Sequence, residues 1–173
     1  MKKLMILTCV MFSLNIHAQI QSNSVESAQA IYLYNFTKYI DWSVSNLSNS
    51  DFVISVIGTY NEYNEIKKYM SEKKVINRPI KVVQVKDLNE MTRSEIVFLP
   101  GNKYKLISQI REKFSDANIL FVTDNYMALK NGSCINFWMN EDKLAFELNK
   151  TNIEKQKLRL SVSLLNTAKT QTL

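Results

Sequence analysis

Two cysteines and a single histidine are the whole supply of thiol and imidazole in this 173-residue chain, and both His17 and Cys9 lie within its first eighteen residues. Those residues have the make-up of a secretory signal peptide: basic Lys2 and Lys3, an apolar run from Leu4 to Leu14, and the small-residue end Ile16-His17-Ala18. A mature chain starting near Gln19 keeps Cys134 as its sole thiol and has no imidazole. Ser-His-Asp and Cys-His catalysis, histidine zinc sites and internal disulfides each need a group that such a chain lacks. Carboxylates are the remaining acid–base stock, among them Asp51, Glu62, Asp124, Glu141, Asp142 and Glu147, and no nucleophile motif accompanies them. The expectation is a protein with no catalytic residues, no metal and no cofactor.

Binding is the chemistry left. In α/β proteins ligands sit at the carboxyl ends of strands, and here those ends read as Gly58-Thr59, Pro100-Gly101 and Thr123-Asp124-Asn125. Gly58, Thr59, Gly101 and Asp124 would line a small polar cleft; the same residues equally serve as turn glycines and helix caps. No glycine-rich phosphate loop is present. The other candidate is aromatic. Tyr32, Tyr34, Phe36, Tyr39 and Trp42 put five rings into eleven residues, more than one buried helix face requires. The reading is a division of labour: Tyr32, Phe36 and Tyr39 are largely buried, while Tyr34, Lys38 and Trp42 lie nearer the surface or a dimer seam and bind a partner. Trp138, offset by one from Ile135, Phe137 and Met139, points to the opposite strand face, where it is either covered by a second layer or exposed as a further anchor.

The elements that must position these groups alternate. Residues 22–41 form a helix with Asn23 and Glu26 as its capping pair and a stripe of Val25, Ala28, Tyr32, Asn35 or Phe36, and Tyr39, widened by Leu33 and Ile40. A polar turn over 46–51 ends it. Apolar runs at 52–57, 96–99 and 119–122 predict buried strands, and 80–85, after Pro79, a strand nearer the sheet edge. Thr59 with Glu62 caps a helix to about Glu72, Asn102 caps one carrying Leu106, Ile107, Ile110 and Phe114, and Asp124 is placed as the next N-cap. Then come a turn ended by Asn131-Gly132 and a hairpin of 134–139 with 144–148. Last is a segment opened by Thr151 or Asn152, with a short helix at 161–169 and a frayed end at 170–173. The fold class is α/β: a three-layer sandwich with a mixed, largely parallel sheet flanked by helices and a C-terminal β-hairpin, all in a single domain. Cys134 is a buried small hydrophobe or, as the sharper alternative, the site of an intermolecular disulfide.

Loss of Lys2 and Lys3 lowers the formal charge of +6 by two, to +4. The lysines are scattered, so no nucleic acid is implied.

The run Ala30-Ile31-Tyr32-Leu33-Tyr34-Asn35-Phe36-Thr37-Lys38-Tyr39-Ile40-Asp41-Trp42 resembles the opening motif of the YfiR/HmsC family, A-x-Y-x-Y-N-F-x-K-[FY]-x-x-W. Arg78-Pro79-Ile80, Asn136-Phe137, Phe146-Glu147-Leu148-Asn149 and Leu160-Ser161-Val162-Ser163 follow in the order of that family. The resemblance implies a periplasmic regulator, soluble after signal-peptide removal. It implies a homodimer that holds the sensory portion of an inner-membrane diguanylate cyclase, or of another membrane sensor, inactive until an OmpA-like outer-membrane lipoprotein captures it. Cyclic di-GMP and biofilm formation would be the output. Relatives that carry cysteine pairs tie activity to redox state; with Cys134 alone, that feature does not carry over. A small-molecule-binding sensor module that uses the strand-end cleft is the alternative reading.

Overall fold

The computed structural model describes residues 25–42, 50–115, 118–168 and 171–172. The expected signal peptide, the expected Asn23 cap and most of the turn expected at 46–51 lie outside the described residues. In chain order the elements are α1 (Val25–Tyr39), β1 (Ile40–Asp41), β2 (Phe52–Val56), α2 (Tyr60–Met70), β3 (Lys74–Val75), β4 (Arg78–Gln84), β5 (Ile96–Leu99) and α3 (Ile107–Lys113). They continue as β6 (Leu120–Thr123), β7 (Ile135–Asn140), β8 (Lys143–Asn149), α4 (Lys150–Lys155), β9 (Arg159–Leu160), α5 (Val162–Thr167) and β10 (Gln171–Thr172).

The main sheet runs β10-β8-β7-β6-β5-β2-β4-β3, and β1 pairs separately with β9. Pairing is parallel from β4 through β2, β5 and β6 to β7, and antiparallel at the β7/β8 hairpin and at β3/β4. The central strands β5 and β6 are buried at every position, as strands covered on both faces must be. From β2 the chain passes through α2 to β4 on one side; from β5 it passes through α3 to β6 on the other. Right-handed crossovers in opposite directions put α2 and α3 on opposite faces. The strand order therefore reverses between β2 and β5.

α1 packs beside α2 and runs in the same direction, with Asn61 Nδ2 donating to Glu26 Oε1 at 3.1 Å and Ser27 Oγ to Glu65 Oε2 at 3.1 Å. Its buried side is Gln29, Ala30, Leu33, Phe36 and Thr37. The expected stripe is thus corrected by about one position: Val25 and Tyr39 are 44% and 38% exposed. A helix with apolar residues on most of its faces has no strong periodic signal, and here polar anchoring decides the rotation. Gln29 Nε2 reaches Asp124 Oδ2 at 3.5 Å, and Thr37 Oγ1 donates back to the Tyr34 carbonyl at 2.7 Å. Tyr32 and Phe36 do turn inward, against Phe137 and Phe146 of the hairpin.

Several local expectations change for stated reasons. α1 stops at Tyr39 because Ile40 and Asp41 pair with Leu160 and Arg159. Asn102 does not cap a helix; residues Gly101–Leu106 form a 3-10 turn that begins after Pro100. Asp124 caps nothing, since a loop and the 3-10 turn Leu129–Asn131 follow β6, and its carboxylate is used across the sheet instead. α4 is capped by Asn149, whose side chain accepts from Asn152 N–H. Gln171 and Thr172, expected to fray, pair in parallel with β8. The Thr59/Glu62 capping box and the β7/β8 hairpin form as read.

Candidate functional site

Of the four residues expected to meet a partner, two come together. Tyr34 is half-buried on the outer side of α1, and the Lys38 Nζ lies over its ring at 4.3 Å from the centroid. Across the helix pair stands Tyr69 of α2, edge-on to Tyr34 at 6.3 Å between ring centroids. Lys73 Nζ is 4.2 Å from the Tyr69 centroid and 5.4 Å from that of Tyr34. Two cations and two rings therefore form a ladder over the α1/α2 seam. Each exposed cation–ring contact contributes about 0.5–1 kcal/mol, enough to hold long side chains in place at a surface. Beside it runs a groove of about 450 Å³ lined by Ser27, Ile31, Glu65, Lys68, Tyr69 and Lys73, with Ile31 43% exposed. Tyr69 and Lys73 were not singled out in the sequence. Tyr69 falls three residues after buried Ile66, which resembles core spacing, and only its pairing with Tyr34 reveals its outer position.

The other two do not join them. Trp42 is corrected from surface to core: it is 3% exposed, donates Nε1–H to the Thr37 carbonyl at 2.9 Å, and meets Phe52 edge-on at 5.0 Å. The chain turns sharply after α1, and that turn swings the indole under the sheet instead of out along the helix. Tyr39 is the matching correction, since it takes the outer position left by the turn. Trp138 is half-buried opposite Ala145, on the strand face away from Phe137 and hence away from α1.

The strand-end cleft does assemble. Gly58, Thr59, Glu62, Pro100, Gly101, Asn102 and Lys103 line a cavity of about 450 Å³, between the ends of β2 and β5 where the strand order reverses. That is the position at which open α/β sheets hold ligands. Gly58 is needed there for close approach: a Cβ would come within 2.4 Å of Glu62 Oε2 and 2.9 Å of the Pro100 ring.

The donors that would greet an anion at this point are, however, already used. Thr59 N–H donates to Glu62 Oε2 at 2.6 Å, and Gly101 N–H donates to Asp124 Oδ1 at 2.5 Å. Two of the protein's own carboxylates fill the places a phosphate would take. Lys103 in the lining balances the Glu62 charge, so the cleft suits a neutral guest.

Burial raises the Asp124 carboxyl above the usual range, and the charge of Glu62 adds to this, against the lowering effect of the Gly101 N–H and the Gln29 amide. The folded protein thus holds this proton more tightly than the unfolded chain does. The stabilising contribution is present at low pH and lost as pH rises through the folded value. Asp124→Asn, which keeps an acceptor for Gly101, is expected to equal or exceed the parent in stability at neutral pH. That advantage should shrink toward about pH 4. Urea midpoints of both proteins at the two pH values measure it; a gap independent of pH would rule out the burial effect.

Cys134 is fully buried, and desolvation pushes its thiol up to about 12. This removes the intermolecular-disulfide reading, because a partner sulfur cannot reach it. The expected result is no reaction with a thiol reagent in the native protein and one thiol released on unfolding; prompt native labelling would contradict the burial.

Comparison with known proteins adds three findings. A family model described as YfiR/HmsC-like matches residues 26–169. The solved structure of a conserved domain protein from Vibrio cholerae O1 biovar El Tor strain N16961 is similar, with 12% sequence identity and a TM-score of 0.55 over 84% of this chain and 60% of that one. The likeness is one of fold, and this chain spans only 60% of the length of that protein. No curated protein matches the chain.

Proposed function

The chain belongs to the YfiR/HmsC-like family, and on that premise we propose that it is a periplasmic regulatory protein. It binds and represses the periplasmic sensory portion of an inner-membrane signalling enzyme, a diguanylate cyclase controlling cyclic di-GMP and biofilm formation. It works by protein binding and carries out no reaction. The observation that carries this reading is the Tyr34–Lys38–Tyr69–Lys73 ladder: rigid amphipathic rings interleaved with cations, displayed on the outer side of the family's own motif helix. Tyrosines are enriched at protein interfaces because they bring large contact area at little conformational cost, and the lysines beside them supply charge complementarity. Among the described residues no helix is long and apolar enough to cross a membrane. Homodimerisation and release by an OmpA-like outer-membrane lipoprotein belong to the same proposal.

A strain lacking the protein tests it. Cyclic di-GMP is expected to rise several-fold, to return to normal with the wild-type chain, and to stay high with a folded Tyr34→Ala, Lys38→Glu chain. Unchanged levels in the deletion strain would remove the cyclase as target.

The position of the cleft at the strand-order reversal favours a second reading, a sensor module for a small neutral molecule. A metabolite of that class that shifts the melting temperature by several degrees, with no protein partner recovered, would favour it over repression.

A further inference from the structure

The loop that joins β3 to β4 is the two-residue Ile76-Asn77, set by the pairs Lys74 with Pro79 and Val75 with Arg78. Both loop residues have positive φ, 48° and 66°, the sign pattern of a type I′ turn. Asn and Gly adopt that conformation readily; a β-branched side chain there crowds the following carbonyl. Five described non-glycine residues have positive φ, and Ile76 is the β-branched one among them. Its side chain is 74% exposed, so packing within the protein does not offset the strain. An apolar, strained residue held out in water has its compensation elsewhere.

The hairpin beneath it is firmly based. Arg78 is buried and paired with Glu95, and Ile80 N–H donates to the Lys73 carbonyl at 3.1 Å. Lys73 in turn is a member of the cation–ring ladder, so the hairpin tip and the ladder are parts of a continuous surface. Its cations Lys38, Lys68, Lys73 and Lys74 outnumber the carboxylates Glu65 and Glu72 that lie among them.

We infer that Ile76 is the apolar anchor of the partner-binding face, and that it enters a socket rimmed by carboxylates on the partner domain. This rests on the protein-binding reading above. Charge chooses the occupant. A second copy docked about a two-fold axis would set these lysines against themselves. A lipid surface would gain only one inserted side chain, too little to hold a protein there. An acidic protein face with an apolar pocket matches both features.

The test uses purified periplasmic domains of the membrane diguanylate cyclases of the same organism, and three full-length mature chains: wild type, Ile76→Asn and Ile76→Leu. Ile76→Asn relieves the turn and is expected to raise Tm by about 2–4 °C while it weakens the Kd for the domain by about tenfold or more. Ile76→Leu keeps the apolar volume and is expected to bind within about threefold of wild type. If Ile76→Asn binds as wild type does, the anchor is wrong and the regulator reading stands. If wild type binds none of the domains, both fall. Binding of wild type but not Ile76→Asn to phosphatidylglycerol vesicles, with domain binding unaltered, would also overturn the anchor, in favour of lipid.

Discussion

Arg78→Ala is expected to destabilise the protein by about 3–5 kcal/mol, the cost of leaving a buried charge without its partner, and to lower Tm by on the order of 10 °C. Arg78 closes the amino-terminal ends of three strands. Its Nε and Nη2 donate to the carbonyls of Ser50 and Asp51, each at 2.7 Å, Nη2 also pairs with Glu95, and the guanidinium lies over the Phe52 ring at 5.4 Å. Glu95 is 2% exposed, and its other oxygen accepts from Val53 N–H at 2.8 Å. Without Arg78, the buried Glu95 carboxylate loses its cation where water does not replace it, whereas the carbonyls of the exposed Ser50 and Asp51 turn to water. Glu95→Ala should be nearly as costly for the converse reason. The pair Arg78→Met with Glu95→Leu removes both charges and should recover most of the loss, since a buried ion pair is worth little against an apolar replacement of similar size. Urea unfolding of wild type, Arg78→Met, Glu95→Leu and the pair together makes a double-mutant cycle, with the two alanine variants alongside. A single-variant loss below about 1 kcal/mol, the range of exposed pairs, would show that the pair is not desolvated.

Phe36→Ala is expected to cost about 3–5 kcal/mol, as for other large aromatic truncations in a packed core. The ring is fully buried and sits 5.2 Å from Phe146, 5.9 Å from Phe137 and 6.2 Å from Tyr32 between centroids. It is the contact through which the motif helix grips the hairpin. Its removal leaves a void among rings whose backbones are fixed by a sheet and cannot close in. Tyr34→Ala, two positions earlier on the other side of the helix, should cost about 1–2 kcal/mol, because it gives up two cation–ring contacts and one ring pair that are only partly buried. Thermal unfolding of the two variants side by side gives the comparison. Equal losses would mean that α1 has no division between core and surface.

The contrast shows what could be read from residues alone. The fold class was legible, because the runs at 52–56, 96–99 and 120–123 are apolar at nearly every position and only doubly covered strands demand that. The Thr59/Glu62 cap and the hairpin were legible because their signals are local. The rotation of α1 was not. With rings on several faces, its orientation is set by Gln29 meeting Asp124 and by the turn at Ile40, contacts that join residues far apart in the chain. Trp42 went inward for the same reason. Gly58, Thr59 and Gly101 line one cavity, since strand ends must converge in such a sheet, whereas Asp124 is outside its lining and bonds to Gly101 N–H. Their chemistry was hidden, because Asp124 acts on Gly101 across 23 positions and not on the residues that follow it.

The order of the main sheet carries a last consequence. Its two outermost members, β3 and β10, are only two residues long. An open sheet normally offers long rows of unpaired amide and carbonyl groups at its margins, and another chain can add a strand there. Here the margin beside β4 carries Lys73, Lys74 and Lys81 and is interrupted by Pro79, while the opposite margin ends in the brief Gln171–Thr172 pairing. A sheet finished in this way resists edge-to-edge polymerisation, so the partner binding proposed above would proceed through side chains without seeding a fibre.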